Sequence, residues 1–322
     1  GGTSYDGFEK ANLVVEAVVE LMDVKRRVFE TIEENVSEKT VIVSNTSALS
    51  ISELQREMSH PDRSCGLHFF NPPHRMPLVE VVRGARTADD TLATAFELAV
   101  HLGKTPVVVK DSPGFVVNRI LAAYLTEAGY LLQGGMSIER LDRTMSQFGM
   151  PVGPLRLLDE IGFDVVAEVS QTMVNAFGER FAPAPVMGEV LTIGVTGRKS
   201  GLGFYRYTDK DVKGVNPTVE RLLRREVTGP PPSSAAAEER MVFSMINEAA
   251  RILDDGVVDS PGALDVAMIM GTGFPPFRGG LLRYADSLGL DRVRERLHYY
   301  AADAGPRLEP APALEGRAAF YD

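Results

Sequence analysis

The first third of the chain alternates between short, continuously apolar runs and segments whose apolar residues recur at helical spacing. Strands that are apolar throughout and alternate with helices are typical of a parallel sheet covered on both faces. The alternation therefore predicts an α/β domain built from βαβ units. The strand-like runs are ANLVVEAVV (11–19), TVIVSN (40–45), CGLHFF (65–70), PLVEVV (77–82) and TPVVVK (105–110).

The chain changes character after KDSPGF (110–115). Almost no strand signals follow, and long helical patterns such as GFVVNRILAAYLTEAGYLLQGG (114–135) replace them. The stretch TGPPPSSAAAEE, rich in Pro, Ser and Ala, reads as a domain junction. We therefore predict a partial sheet domain at 1–110, a first helical domain at 111–227, a linker at 228–239 and a second helical domain at 240–322.

The sequences on the two sides of that linker resemble each other. Two copies are too few for a solenoid, so the pattern predicts a duplicated helical domain. The matched pairs are Glu127 with Glu248, Asp142 with Asp265, Met145 with Met268, Pro151 with Pro275, Asp159 with Asp286, and Gly162 with Gly289.

Composition excludes several classes of function. A net charge of −10 argues against a broad basic face for nucleic acid. No apolar stretch is long enough for a transmembrane helix. A single cysteine, Cys65, excludes an intrachain disulfide and a multi-cysteine metal site, so we predict no metal and read Cys65 as a small core residue. The N-terminus lacks the pattern of a signal peptide, and we expect a reducing, cytoplasmic location.

A lone histidine and a lone glutamate stand in neighbouring strand-like runs. His68 lies near the end of CGLHFF, and Glu80 lies in PLVEVV. A histidine is suited to act as a general base near neutral pH, and a carboxylate on its other ring nitrogen fixes the tautomer. Taken singly, His68 could be structural and Glu80 a solvated strand end, so the pair alone leaves catalysis open.

A dinucleotide-binding domain should open with G-x-G-x-x-G after its first strand, because those glycines let the backbone approach the pyrophosphate. The string is absent from the sequence, since GLGFYR (201–206) and GTGFPP (271–276) lack the third glycine. Either the first domain binds no dinucleotide, or the chain begins partway through such a domain.

Several motifs, in order, resemble the L-3-hydroxyacyl-CoA dehydrogenases, and the last segment resembles the C-terminus of the multifunctional fatty-acid oxidation enzymes. The resemblance implies an α/β plus all-α fold: a partial Rossmann-like parallel sheet, without its first strands and Gly-rich loop, followed by two duplicated helical domains. We therefore expect an N-terminally truncated chain. The motifs are LVVEAVVE (13–20), VSNTSALSI (43–51), GLHFFNPPHRMPLVEVV (66–82), KDSPGFVVNRIL (110–121), GMPVGPLRLLDEIG (149–162), GRKSGLGFY (197–205) and GFPPFRGG (273–280).

The resemblance implies oxidation of a (3S)-3-hydroxyacyl-CoA to the 3-oxoacyl-CoA, with NAD as hydride acceptor, in fatty-acid β-oxidation. It makes His68 and Glu80 the candidate catalytic pair. It places the Ser47 hydroxyl on the substrate C3 oxygen, and Asn118 beside the substrate carbonyl. The simpler interpretation of Ser47 is a turn or helix-cap residue.

Four further residues match cofactor-binding positions of the family: Glu20, Lys25, Asn45 and Asn71. Glu20 and Lys25 could equally be solvated charges at a helix start. Asn71 could be a turn residue of the Asx type.

The implied partners are an acyl-CoA substrate, an upstream enoyl-CoA hydratase region of the same chain, and a thiolase subunit or a second copy. One alternative is a single-activity 3-hydroxybutyryl-CoA dehydrogenase, which we expect to resemble the first helical unit alone. The other is a non-catalytic module, because the dinucleotide fingerprint is absent. In that case NLVVEAVV (12–19) becomes an exposed edge strand, and the isolated chain should bind NAD poorly and self-associate.

Overall fold

The structure is a computed structural model that describes residues 2–208, 211–224 and 230–321. Its contacts divide the chain into two compact units. The first comprises Gly1–Asn118 and Ile252–Thr272, and the second comprises Arg119–Arg251 and Gly273–Asp322. The domain boundaries predicted from the sequence stay predictions.

The first unit is built on a five-stranded sheet whose spatial order follows the chain. The alternation of apolar strands and helices thus produces the predicted α/β architecture. The strands are β1 (Leu13–Glu16), β2 (Val41–Ser44), β3 (Ser64–Phe69), β4 (Leu78–Arg83) and β5 (Thr105–Lys110). The helices are α1 (Met22–Asn35), α2 (Ile51–Leu54), α3 (Asp89–His101) and, later in the chain, α11 (Pro261–Thr272).

The core of this unit lies where the central strands meet α3. Strand residues such as Val43, Leu67 and Val81 are fully buried against Ala95 of that helix. Cys65 belongs to the same cluster, and burial raises the pKa of its thiol to about 12. This confirms the prediction of a small core residue.

One strand pairing differs from the predicted parallel sheet. β1–β2, β2–β3 and β4–β5 are parallel, whereas β3 and β4 are antiparallel. A parallel connection needs a crossover of about a dozen residues or more, and only residues 70–77 separate these two strands. The fold class is confirmed, and the sheet is mixed.

Strand β1 lies at the edge of the sheet. Among the described residues it pairs with β2 alone. Several apolar side chains on and after it are exposed, including Val15, Val19 and Leu21. An edge of this kind is a template for pairing with another chain, so self-association remains a prediction.

The helices after residue 117 repeat in type and order. The first series is α4 (Val117–Gln133), α5 (Ile138–Phe148), α6 (Pro154–Ile161) and α7 (Phe163–Phe177). The second is α10 (Ser234–Asp254), α11, α12 (Leu281–Leu288) and α13 (Leu290–Ala304). Between the two series lie α8 (Pro185–Thr192), α9 (Pro217–Leu223) and a small antiparallel pair, β6 (Tyr205–Tyr207) with β7 (Val212–Val215).

The matched aspartates make equivalent hydrogen bonds in the two copies, each to two consecutive backbone N–H groups. Asp159 accepts the backbone N–H groups of Phe204 and Tyr205 at 2.8 and 2.9 Å. Asp286 accepts those of Phe320 and Tyr321 at the same two distances. The duplication predicted from paired residues is therefore present in the structure.

Ion pairs to two buried glutamates also relate the two copies reciprocally. Arg119 donates to Glu248 at 2.6 Å, and Arg240 donates to Glu127 at 2.6 Å. Each arginine precedes the glutamate of its own copy by eight residues, yet each binds the glutamate of the other copy. Two reciprocal ion pairs thus link the first copy to the second.

Two expectations change in detail. The small β6–β7 pair shows that the region after residue 114 contains more strand structure than its helical patterns predicted. Helix α10 begins at Ser234, inside the predicted linker 228–239, while residues 228 and 229 lie outside the described part of the chain. No helix within the described ranges has the length and hydropathy to cross a bilayer.

Candidate active site

His68 and Glu80 form a cross-strand pair at the antiparallel junction. The β3–β4 register places them directly opposite each other. Directly opposed residues of antiparallel strands have neighbouring side chains. The His68 Nδ1 lies 2.8 Å from Glu80 Oε2, and both side chains are buried. Because a carboxylate only accepts hydrogen bonds, Nδ1 donates and Nε2 remains able to take a proton.

The second carboxylate oxygen of Glu80 is also fixed. Oε1 accepts the backbone N–H groups of Val116 and Val117 at 3.1 Å each, where α4 begins. Unsatisfied N–H groups at a helix start favour a carboxylate. Phe115, just before them, has φ 50°, a left-handed conformation that is uncommon for a residue other than glycine. Glu80 is therefore positioned by the backbone as well as by its strand.

Two aromatic rings lie beside the imidazole of His68. The ring of Phe70 lies 4.5 Å from that of His68, and the ring of Phe115 lies 5.7 Å away, measured between centroids. The other four histidines of the chain, at 60, 74, 101 and 298, are exposed. Of the five histidines, His68 is thus the one that is buried.

Ser47 and Asn118 are linked by a hydrogen bond from the Asn118 side chain to the Ser47 backbone. The Asn118 Nδ2 donates to the carbonyl oxygen of Ser47 at 3.1 Å. This bond joins the loop after β2 to the first turn of α4. The Ser47 hydroxyl, the group expected to act on substrate, takes no part in it.

Glu20 and Lys25 are in contact, and the interpretation of Lys25 as a solvated charge is wrong. Its side chain is 1% exposed, and its Nζ lies 3.2 Å from Glu20 and 2.8 Å from Glu16. Sequence reasoning missed Glu16. The signal was a charged residue inside an apolar strand, since a buried charge needs a partner.

The remaining two candidates lie at the ends of β2 and β3. Asn45 follows β2 and accepts the backbone N–H of Phe69 at 3.0 Å. Asn71 follows β3 closely and is exposed. These residues, with Glu20, cluster near the carboxyl ends of β1, β2 and β3, where open α/β sheets bind ligands.

The residues of this rim fit the nicotinamide end of a dinucleotide. The Glu20 side chain is 27% exposed, so the carboxylate that holds the neighbouring loop can also meet a ribose hydroxyl. The exposed Asn71 amide offers both a donor and an acceptor. The G-x-G-x-x-G string that approaches a pyrophosphate does not occur in the sequence.

Two family descriptions match the chain. Residues 1–112 match the 3-hydroxyacyl-CoA dehydrogenase NAD binding domain. Residues 114–207 and 237–319 match the 3-hydroxyacyl-CoA dehydrogenase C-terminal domain. The second match falls on both helical copies.

Curated relatives share about two fifths of the sequence. The fatty acid oxidation complex subunit alpha of Shewanella sp. (strain ANA-3) is 43% identical over 322 residues, which is 98% of this chain and 45% of that protein. The same subunit from Vibrio parahaemolyticus is 42% identical, over 99% of this chain and 45% of that protein. The chain therefore spans about half the length of these relatives.

Solved structures agree with this assignment. A 3-hydroxybutyryl-CoA dehydrogenase from Escherichia coli K12 matches with a TM-score of 0.84 and 29% identity, over 97% of this chain and 82% of its own. An (S)-3-hydroxybutyryl-CoA dehydrogenase from Ralstonia eutropha is 42% identical, with a TM-score of 0.62, over 65% of this chain and 75% of its own. With these relatives and both family descriptions matched, the chain belongs to the 3-hydroxyacyl-CoA dehydrogenase family of NAD-dependent dehydrogenases.

Proposed function

We propose that the full-length protein oxidises a (3S)-3-hydroxyacyl-CoA to the 3-oxoacyl-CoA, with His68 as the general base. The observation that carries this proposal is the buried 2.8 Å contact between His68 and Glu80. An imidazole whose Nδ1–H is held by a carboxylate presents a basic Nε2 for proton abstraction.

In this mechanism His68 Nε2 takes the proton of the C3 hydroxyl as the C3–O bond becomes a carbonyl. Glu80 keeps the ring in the required tautomer and stabilises the imidazolium that forms. Ser47 and Asn118, which are already joined to each other, position the substrate oxygens. NAD, when bound, supplies the acceptor for the hydride that C3 loses. Glu20, Lys25, Asn45 and Asn71 are the residues that would hold its nicotinamide side.

We place this reaction in fatty-acid oxidation because the curated relatives are alpha subunits of a fatty acid oxidation complex. The proposed setting is a cytoplasmic multifunctional protein with an enoyl-CoA hydratase region, working with a thiolase subunit or a second copy. A single-activity 3-hydroxybutyryl-CoA dehydrogenase is the second candidate. The expectation that such enzymes resemble the first helical unit alone holds for some and not for others, since the Ralstonia eutropha enzyme matches 65% of the chain and the Escherichia coli enzyme 97%.

Formation of NADH tests the proposal. The full-length protein, given NAD, is expected to reduce it with (3S)-3-hydroxyacyl-CoA and not with the matching saturated acyl-CoA, which lacks the hydroxyl. NADH formation from a 2-enoyl-CoA without added hydratase supports the multifunctional setting, whereas turnover of the hydroxyacyl-CoA alone supports the second candidate. No NADH with any 3-hydroxyacyl-CoA, short or long, contradicts the proposal.

A further inference from the structure

We propose that Glu16 and Thr46 are positioning residues that fix the loop bearing Ser47 through a buried charge network. This inference rests on the proposed function, because Ser47 and Asn118 are its substrate-binding candidates. Neither Glu16 nor Thr46 was singled out by the sequence, and neither needs to touch the substrate.

The network starts at Glu16, the last residue of β1. Its side chain is fully buried, and its Oε1 lies 2.8 Å from the Lys25 Nζ. The same oxygen accepts the backbone N–H of Val18 at 2.6 Å, while Oε2 accepts the Ser44 hydroxyl at 2.6 Å. Glu16 thus ties the ends of β1 and β2 to the start of α1.

Lys25 bridges two carboxylates. Its Nζ is bound by Glu16 at 2.8 Å, by Glu20 at 3.2 Å and by the carbonyl of Val18 at 3.3 Å. An ammonium group has three donors, and these contacts use all of them. A buried ammonium with one carboxylate removed would be undercompensated, so Glu16 is needed to keep Lys25 buried in its place beside Glu20.

Glu20 connects this network to the loop that bears Ser47. Its Oε1 accepts the Thr46 hydroxyl at 2.5 Å and the backbone N–H groups of Ser47 and Ala48 at 2.8 and 3.3 Å. Burial would raise the pKa of Glu20, but the hydrogen bonds from Thr46 and Ser47 and the charge of Lys25 lower it below its usual value. The carboxylate is therefore held in its charged, accepting form.

The Thr46 hydroxyl bonds both Glu20 and the backbone of the same loop. Its hydroxyl donates to Glu20 and accepts the backbone N–H of Leu49 at 2.9 Å. The carbonyl of Ser47, at the tip of this turn, accepts the Asn118 amide. A continuous set of contacts therefore runs from Glu16 to the two substrate-binding candidates, and small displacements of positioning groups cost about 10²-fold in rate.

The test compares Thr46→Val, which removes the hydroxyl and keeps the shape, with Thr46→Ser, which restores it. Both are made in the full-length protein, together with Glu16→Gln and, as the control, Glu34→Gln on the exposed face of α1. We expect Thr46→Val and Glu16→Gln to accelerate hydrogen exchange at residues 47–49 by about tenfold or more. We also expect kcat/KM for the 3-hydroxyacyl-CoA to fall by about 10- to 100-fold, with Thr46→Ser near wild type.

The outcomes separate this inference from the proposed function. Unchanged exchange and unchanged kcat/KM in Thr46→Val overturn the inference, and Glu16→Gln gives the same decision if Thr46→Val fails to fold. If the wild-type protein oxidises no hydroxyacyl-CoA while exchange at 47–49 still accelerates, the proposed function fails and the anchoring of the loop stands. A loss in Thr46→Val that Thr46→Ser shares equally also contradicts the inference, because the hydroxyl would then not be the cause.

Discussion

Replacing Glu80 with glutamine is expected to lower kcat by about 10²–10⁴-fold, the whole contribution of the base, while the protein stays folded. The amide oxygen can still accept the N–H groups of Val116 and Val117, which now bind Glu80 Oε1 at 3.1 Å. The amide nitrogen must then face His68 and donate to Nδ1. That forces the proton onto Nε2, so the imidazole loses the lone pair that would take the substrate proton.

The measurement is kcat together with the melting temperature in the full-length protein. Glu97→Gln on the exposed face of α3 is the matched control, and it should retain wild-type turnover. A Glu80→Gln protein that turns over as fast as Glu97→Gln would show that the carboxylate does not set the tautomer of His68.

Truncating Glu248 to alanine is expected to lower the free energy of unfolding by about 3–5 kcal/mol. Glu248 binds Arg119 at 2.6 Å and Arg180 at 3.3 Å, and the side chain of Arg119 is only 1% exposed. Removal of the carboxylate takes a counter-charge at 2.6 Å away from that buried guanidinium. The cost arises because a buried charge loses part of its compensation, and it exceeds the net contribution of the ion pair.

Denaturant unfolding measures this loss, and Glu295→Ala on the exposed face of α13 is the control, with an expected change within about 0.5 kcal/mol. The reciprocal truncation, Glu127→Ala, should give a loss similar to that of Glu248→Ala, because Glu127 binds Arg240 at 2.6 Å and Arg307 at 3.3 Å. A Glu248→Ala protein as stable as the control would contradict the view that Glu248 compensates the buried charge of Arg119.

The sequence predicted the elements of the first unit because its strands are apolar on both faces, a pattern that few other folds produce. The direction of β4 was missed although the sequence carried the signal, since the predicted runs 65–70 and 77–82 lie only six residues apart. Strand direction depends on whether a connection can cross over, and residues 70–77 are too few to do so. The antiparallel register is what places His68 opposite Glu80, so the most important contact of the site came from the pairing that was predicted incorrectly.

Contacts between residues far apart in the chain could not be predicted from the sequence. The repeat was visible in matched residues such as Asp159 and Asp286. The ion pairs that Arg119 and Arg240 each form with the glutamate of the other copy were not visible, because they depend on how α4 and α10 pack. Likewise, Lys25 reads as an ordinary helix-start charge until Glu16 is seen beside it at 2.8 Å. A glutamate within an apolar strand was the local signal for that network.

The most direct test of the account is the turnover of His68→Gln in the full-length protein, with His101→Gln on the exposed end of α3 as the control. A general base contributes about 10²–10⁴-fold to rate. The account predicts a loss of kcat of that size in His68→Gln, with the melting temperature and the KM for the acyl-CoA close to those of His101→Gln. A His68→Gln protein that forms NADH at the rate of the control would contradict the account.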